Sequence, residues 1–255
     1  MPPIAILTYH SIDDSGSVVS MSPADFEDQM SCLANQGIRG ISLREAVSYH
    51  DRTGFWPGSS VVLTFDDGFA NFYDAGLPLL LRYGFNATVF VVTGYMGEFN
   101  VWERPPAGLG RRRILSWPQA AELASLGFEI GSHTHTHPDL ARLTTGEAER
   151  EIVYSREQIG DRLAGQVESF AYPYGSLGSS ASEIVRREFR SACTTSLKRA
   201  NGDQLHSLPR IDMCYIGSRY TLERLVSGRL DRYLAVRRLG RSVRGALHSH
   251  LQLGQ

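Results

Sequence analysis

Val61-Val62-Leu63-Thr64-Phe65-Asp66-Asp67-Gly68 runs from a β-branched and aromatic stretch straight into two carboxylates and a glycine. The apolar stretch has no polar alternation, which suits a strand covered on both faces, as in a parallel sheet under helices. Two adjacent carboxylates at the end of such a strand are costly to bury. Successive side chains diverge, so Asp66 and Asp67 can serve one pocket in different ways, one holding a cation and the other handling a proton. Gly68 lets the backbone turn sharply behind them. An ordinary Asp-Asp-Gly turn has the same sequence, so the segment alone leaves both readings open.

A second segment removes that balance. Gly131-Ser132-His133-Thr134-His135-Thr136-His137-Pro138 also follows an apolar run and packs three of the eight histidines into five residues. His133 and His137 are four apart, with Pro138 stopping further regular structure, a spacing that lets two imidazoles converge on a divalent metal. A hard third ligand is then needed, and Asp67 can supply it. Two histidines and a carboxylate leave coordination positions for water and substrate, as catalytic sites do. Zinc fits this donor set, and cobalt, nickel, manganese and iron bind similar ones. His135 points elsewhere if the segment is extended. A third segment, Phe170-Ala171-Tyr172-Pro173-Tyr174-Gly175, ends another apolar run in a stiff aromatic turn that can wall a pocket.

Working outward, short apolar runs at 4–8, 61–65, 87–92, 128–131, 168–171 and 190–194 read as buried strands. Helical patterns lie between them at 22–36, 75–83, 118–126 and 144–164. The last opens with Thr144 and Glu147 at capping-box spacing and is expected to be the longest helix. This alternation predicts an α/β fold with a parallel sheet. The stretch 93–116 reads as a long functional loop, rich in glycine and proline and carrying Arg111-Arg112-Arg113. That arginine run reads as a solvated face or as a grip on an anionic group.

With 255 residues, 42% hydrophobic and 21% charged, the chain can build a sizeable core and is not globally disordered. A formal charge of −1 excludes an electrostatic pull toward nucleic acid. Cys32, Cys193 and Cys214 are odd in number and far apart, so neither a disulfide framework nor a cysteine zinc site is expected. No apolar stretch of ~18 residues occurs, so no transmembrane segment is expected. The N-terminus lacks the pattern of a signal peptide, and a cytoplasmic location is the expectation, export remaining open if a leader precedes the residues given.

The three motifs in this order, TFDDG, then H-[ST]-x-x-H, then an aromatic-proline-tyrosine-glycine turn, resemble the polysaccharide deacetylases of the NodB-homology type, carbohydrate esterase family 4. The resemblance covers roughly residues 4–215. Leu7-Thr8-Tyr9-His10 and Leu208-Pro209-Arg210-Ile211 look like the poly-N-acetylglucosamine deacetylase branch. What the resemblance implies is a distorted, incomplete (β/α)7 barrel with the site at the C-terminal ends of the strands, and metal-dependent removal of N-acetyl groups from an amino-sugar glycan. Asp66 is then the general base, Asp67, His133 and His137 the ligands of one divalent metal, and the Tyr174 N–H a donor to the oxyanion. Pro173, Tyr172 and Trp102 are expected against the sugar.

Two departures follow. Better-known members carry, where this chain has Ala171, an arginine that orients the aspartate, and Arg210 is the candidate replacement. Their late acid motifs are also not recognisable after Gly175. In a barrel the first strand lies beside the last, so His10 is favoured as general acid over His206. The rival readings are a cyclic imide or ureide amidase on the same scaffold, and a carbohydrate-binding module with impaired catalysis. The expected organisation is a domain over 1–218 and a helical extension over 219–255 packed on it. The arginine-rich tail has one apolar face, which suits a cover for the barrel or peripheral contact with a membrane. No oligomeric state is legible.

Overall fold

The computed structural model describes residues 2–103, 106, 108–216, 219–230 and 232–237. Its elements run β1 (Ile6–Tyr9), β2 (Ser11–Ile12), β3 (Ser20–Met21), α1 (Pro23–Asn35), β4 (Arg39–Ile41), α2 (Leu43–Thr53), β5 (Ser60–Phe65), α3 (Leu77–Tyr83), β6 (Thr88–Val91), α4 (Trp117–Ser125), β7 (Glu129–Ser132), α5 (Thr145–Leu163), β8 (Ser169–Ala171), α6 (Ser179–Glu188), β9 (Ser191–Cys193), β10 (Ile211–Asp212) and α7 (Arg219–Val226). The main sheet has the order β10-β1-β5-β6-β7-β8-β9, and every pairing in it is parallel. These seven strands curl into an incomplete barrel. β10 and the segment before it bridge the two sides: Leu208 pairs with Cys193 of β9, and Ile211 of β10 pairs with Leu7 of β1.

The predicted strands and helices are all present, and six further elements lie ahead of α7. β4 is short and centred on Gly40, where a Cβ would lie 2.5 Å from Leu63. It therefore carries no apolar run to betray it. It pairs with the first half of β5, while β6 takes the second half of the same edge, and this sharing distorts the barrel. The others are β2, β3, α2, α6 and β10.

Alternate residues divide between two layers. Ile6, Val62, Phe90, Ala171 and Cys193 form a small cluster with Ile41 inside the bore. Their neighbours Leu7, Leu63, Val89, Phe170 and Ala192 belong to the larger core under the helices, with Phe26 of α1, Ile152 of α5 and Ile184 of α6. Leu222, Leu225, Leu230 and Leu234 of the tail are buried in that same core. Much of the apolar face of the described tail is thus packed on the protein itself, while Tyr220, Tyr233 and Val236 are exposed. The expected boundary at 218/219 and the tail beyond 237 lie outside or against residues not described. Among the described residues no helix is long and apolar enough to cross a membrane.

Candidate metal centre and cleft

The C-terminal ends of β5 and β7 bring Asp66, Asp67 and His133 together, and the loop beyond β7 returns His137 to them. His133 Nε2 and His137 Nε2 each lie 3.4 Å from Asp67 Oδ1. Three ligands around a tetrahedral ion at about 2.1 Å stand about 3.4 Å apart, so the donors fit one divalent ion. This is the one such cluster among the described residues, and all its members are buried. The far nitrogen of each ring is already engaged. His133 Nδ1 donates to the Ala171 carbonyl at 2.7 Å. His137 Nδ1 is 3.2 Å from the Tyr174 hydroxyl, which itself donates to the Glu103 carbonyl at 2.6 Å and so accepts from the ring. Both Nε2 atoms therefore face Asp67 and are the atoms that would offer lone pairs to a metal, the arrangement metal-binding histidines require.

Backbone strain is concentrated here. Asp67, Thr134, His137 and Tyr174 have φ of 71°, 68°, 62° and 57°. Such conformations cost on the order of 1–3 kcal/mol each and persist where the surroundings enforce them. For β-branched Thr134 the conformation is a true outlier. Its hydroxyl repays some of the cost by accepting the His137 N–H at 3.0 Å.

Arg210 enters the bore from the segment before β10, under the metal cluster. Its two terminal nitrogens each lie 2.6 Å from one oxygen of Asp66, a bidentate pair, and its Nε donates to the Thr194 carbonyl at 3.1 Å. Burial pushes the Asp66 pKa up, but the charges of Arg210, His133 and His10 outweigh it and hold the carboxyl below its ordinary value. Burial of Asp67 is likewise overcome by the imidazoles of His133 and His137, so it too stays a carboxylate. His10 follows β1 and is half-buried, close enough for its charge to act on both aspartates.

A cleft of about 470 Å³ opens beside the cluster, lined by Tyr95, Trp102, Glu103, His137, Arg142 and Tyr174 among others. The Trp102 ring stands 4.9 Å from that of His137. Pro173 is buried in the turn that presents Tyr174. Tyr172 does not reach the cleft, which corrects its expected place against the sugar. The pleat turns Ala171 into the bore and Tyr172 outward, where it packs on Phe170 at 1% exposure. His206 is also remote: its Nε2 bonds the Phe189 carbonyl, at the N-terminal end of β9 and away from the metal cluster. The arginine run braces its own loop. Arg111 and Arg113 lie over the Phe99 ring, and Arg112 pairs with Asp13 at 3.1 Å.

One residue at the site carries no signal in the sequence reading. Glu151 of α5 accepts from the backbone N–H groups of His135 and Thr136 at 2.9 and 2.7 Å, and from the Thr136 hydroxyl at 2.7 Å. A glutamate in mid-helix has no local pattern that points to a loop across the sheet.

A family model described as polysaccharide deacetylase matches residues 56–188. The Bacillus subtilis (strain 168) protein YxkH, assigned to the polysaccharide deacetylases, is 27% identical over 210 residues, 82% of this chain and 70% of its own. The poly-beta-1,6-N-acetyl-D-glucosamine N-deacetylase of Staphylococcus aureus (strain MRSA252) is 25% identical over 66% of this chain, which spans 58% of that enzyme's length. Among solved structures, the Streptococcus pyogenes deacetylase PplD in complex with acetate superposes with a TM-score of 0.75 at 26% identity, over 88% of this chain and 97% of that one.

Proposed function

The chain belongs to the polysaccharide deacetylase family, and on that premise we propose that it is a metal-dependent hydrolase releasing acetate from the N-acetyl groups of an amino-sugar glycan. The observation that carries this reading is the buried Asp67-His133-His137 cluster beside an Asp66 held ionised by Arg210, at the foot of an open cleft. Asp67, His133 and His137 hold one divalent cation, for which zinc is the choice that suits two imidazoles and a carboxylate. Bound there, the cation supplies Lewis acidity toward the acetyl carbonyl and makes a water easier to deprotonate.

The chain's own groups do the rest. Asp66 takes the proton of the attacking water on a carboxylate oxygen whose direction Arg210 sets. The Tyr174 N–H donates to the oxyanion as the carbonyl carbon becomes tetrahedral. His10 delivers a proton to the sugar nitrogen, so that the C–N bond breaks to give acetate and a free amine. Trp102 and Tyr174 offer ring faces to the sugar, and Pro173 keeps the Tyr174 turn rigid. The bidentate pair of Arg210 with Asp66 supports Arg210 as the substitute for the orienting arginine absent at Ala171, and so favours an active enzyme over an impaired binding module. The test is to measure acetate release from N-acetylated amino-sugar oligomers in parallel with ring opening of cyclic imides and ureides. Acetate release alone is the expected result, and imide opening without it would transfer the chain to the amidase reading.

A further inference from the structure

The loop that carries both metal-binding histidines is gripped from two sides by groups that touch neither metal nor substrate. On one side, Gly94 N–H donates to the His135 carbonyl at 2.8 Å, and Thr93 Oγ1 lies 3.0 Å from His135 Nδ1. A Cβ on Gly94 would fall 2.7 Å from that carbonyl, so the approach requires glycine. On the other side stands α5. Glu151 gathers two consecutive backbone N–H groups and a hydroxyl into one carboxylate, and one turn later Ser155 bonds Ser132 at 2.6 Å. Positions four apart share one helix face, so a single face of α5 holds both the end of β7 and the middle of the loop. His135, the third histidine of the motif, is thereby turned away from the metal cluster and used as a fastening.

We infer that Glu151 is a positioning residue for the metal centre. By bonding the amides of residues 135 and 136, it keeps the chain between His133 and His137 in the strained shape that brings both Nε2 atoms to Asp67. A ligand set assembled only on metal arrival would lose affinity to the ordering of that loop, whereas a set held by Glu151 is already assembled. The inference rests on the metal reading proposed above.

The test uses the full chain stripped of metal and titrated with Co2+ under chelator competition, with the visible Co2+ absorption as a second readout. Glu151→Ala is expected to bind Co2+ about 10–100-fold more weakly, the scale seen when groups supporting metal ligands are removed. Glu151→Gln keeps an acceptor oxygen but not the charge, and an intermediate loss is expected. Glu147→Ala breaks the capping box at the start of the same helix without touching the loop. It is expected to lower thermal stability and leave Co2+ affinity unchanged. Glu151→Ala binding as tightly as the unsubstituted chain, or Glu147→Ala weakening binding equally, would overturn the inference. If Glu151→Ala does not fold, unchanged affinity in Glu151→Gln overturns it and weaker affinity supports it. No Co2+ binding by the unsubstituted chain would overturn the metal reading and this inference together.

Discussion

The barrel bore holds a buried carboxylate at each end, and the two behave in opposite ways. At the C-terminal end Asp66 is 4% exposed, and at the N-terminal end Glu129 is 1% exposed. Glu129 accepts from the Thr88 hydroxyl at 2.6 Å and from the Arg44 N–H at the start of α2 at 2.8 Å. Burial outweighs those donors, the Ser169 hydroxyl and the more distant charge of Arg44, and the Glu129 pKa is raised. Asp66, equally dry, is held below its ordinary value because Arg210 meets it with a full charge. Burial alone therefore does not fix the direction in which a carboxyl is shifted, but a buried counter-charge does. The carboxyl paired with a buried guanidinium is the one whose pKa is lowered, and it lies at the end with the cleft.

The sharpest way to break this contrast is to remove the counter-charge. Arg210→Met leaves Asp66 as an unpaired buried charge and is expected to cost about 3–5 kcal/mol of stability by chemical denaturation. Adding Asp66→Asn to it should recover much of that loss, and a purely additive double variant would mean the pair is not coupled.

Asp66→Asn alone keeps the ligand cluster, so bound metal should stay while kcat falls by ~10²–10⁴-fold. Near-normal turnover would remove Asp66 from the role of base. His10→Ala should lower kcat by about 10²-fold, the smaller end of that range, because His10 is half-buried and water can partly replace it. The alkaline limb of the pH–rate profile should disappear with it. His206→Ala should be mild, and the reverse pattern would place the acid late in the chain.

The smallest effect is expected at the other end of the bore. A raised folded-state pKa means that, above the ordinary glutamate value of 4.5, the unfolded chain loses the proton first. Glu129 therefore costs stability as pH rises from that value toward its folded pKa. For Asp66 the sign is opposite: its contribution is present above 3.8 and is lost as pH falls through the lowered folded pKa. Glu129→Gln should change stability by no more than about 1 kcal/mol at pH 5 and flatten the decline at higher pH, read from denaturation curves across pH. A steeper decline in the variant would mean that the Glu129 pKa is not raised on folding.

Legibility in the sequence followed the same division. The Asp67-His133-His137 cluster is readable because its members sit in short motifs at strand ends, where spacing carries the geometry. Arg210 is legible as a candidate because it closes a short apolar segment late in the chain, but its bidentate pairing with Asp66 appears only when the sheet brings the segment before β10 beside β5. Tyr172 was misplaced because motif proximity was taken for orientation, and the pleat sends it outward. The start of α2 was legible in principle: Ser42 caps Glu45 N–H at 3.1 Å, and Gly54 ends the helix at φ 76°. Its many charged residues hid the pattern. Glu129 and Glu151 act across 41 and 15–16 residues of sequence, and such partners become visible only when the sheet has assembled them.

The central claim is that the cluster at the C-terminal end of the bore runs on a metal held by Asp67, His133 and His137. It is tested most directly by acetate release from N-acetylated amino-sugar oligomers, measured before chelation, after chelation and after returning one equivalent of Zn2+, in the unsubstituted chain and in Asp67→Ala. The expected result is activity that vanishes on chelation and returns with metal in the unsubstituted chain, and stays absent in Asp67→Ala. Acetate release that survives chelation, or that Asp67→Ala retains, would contradict it.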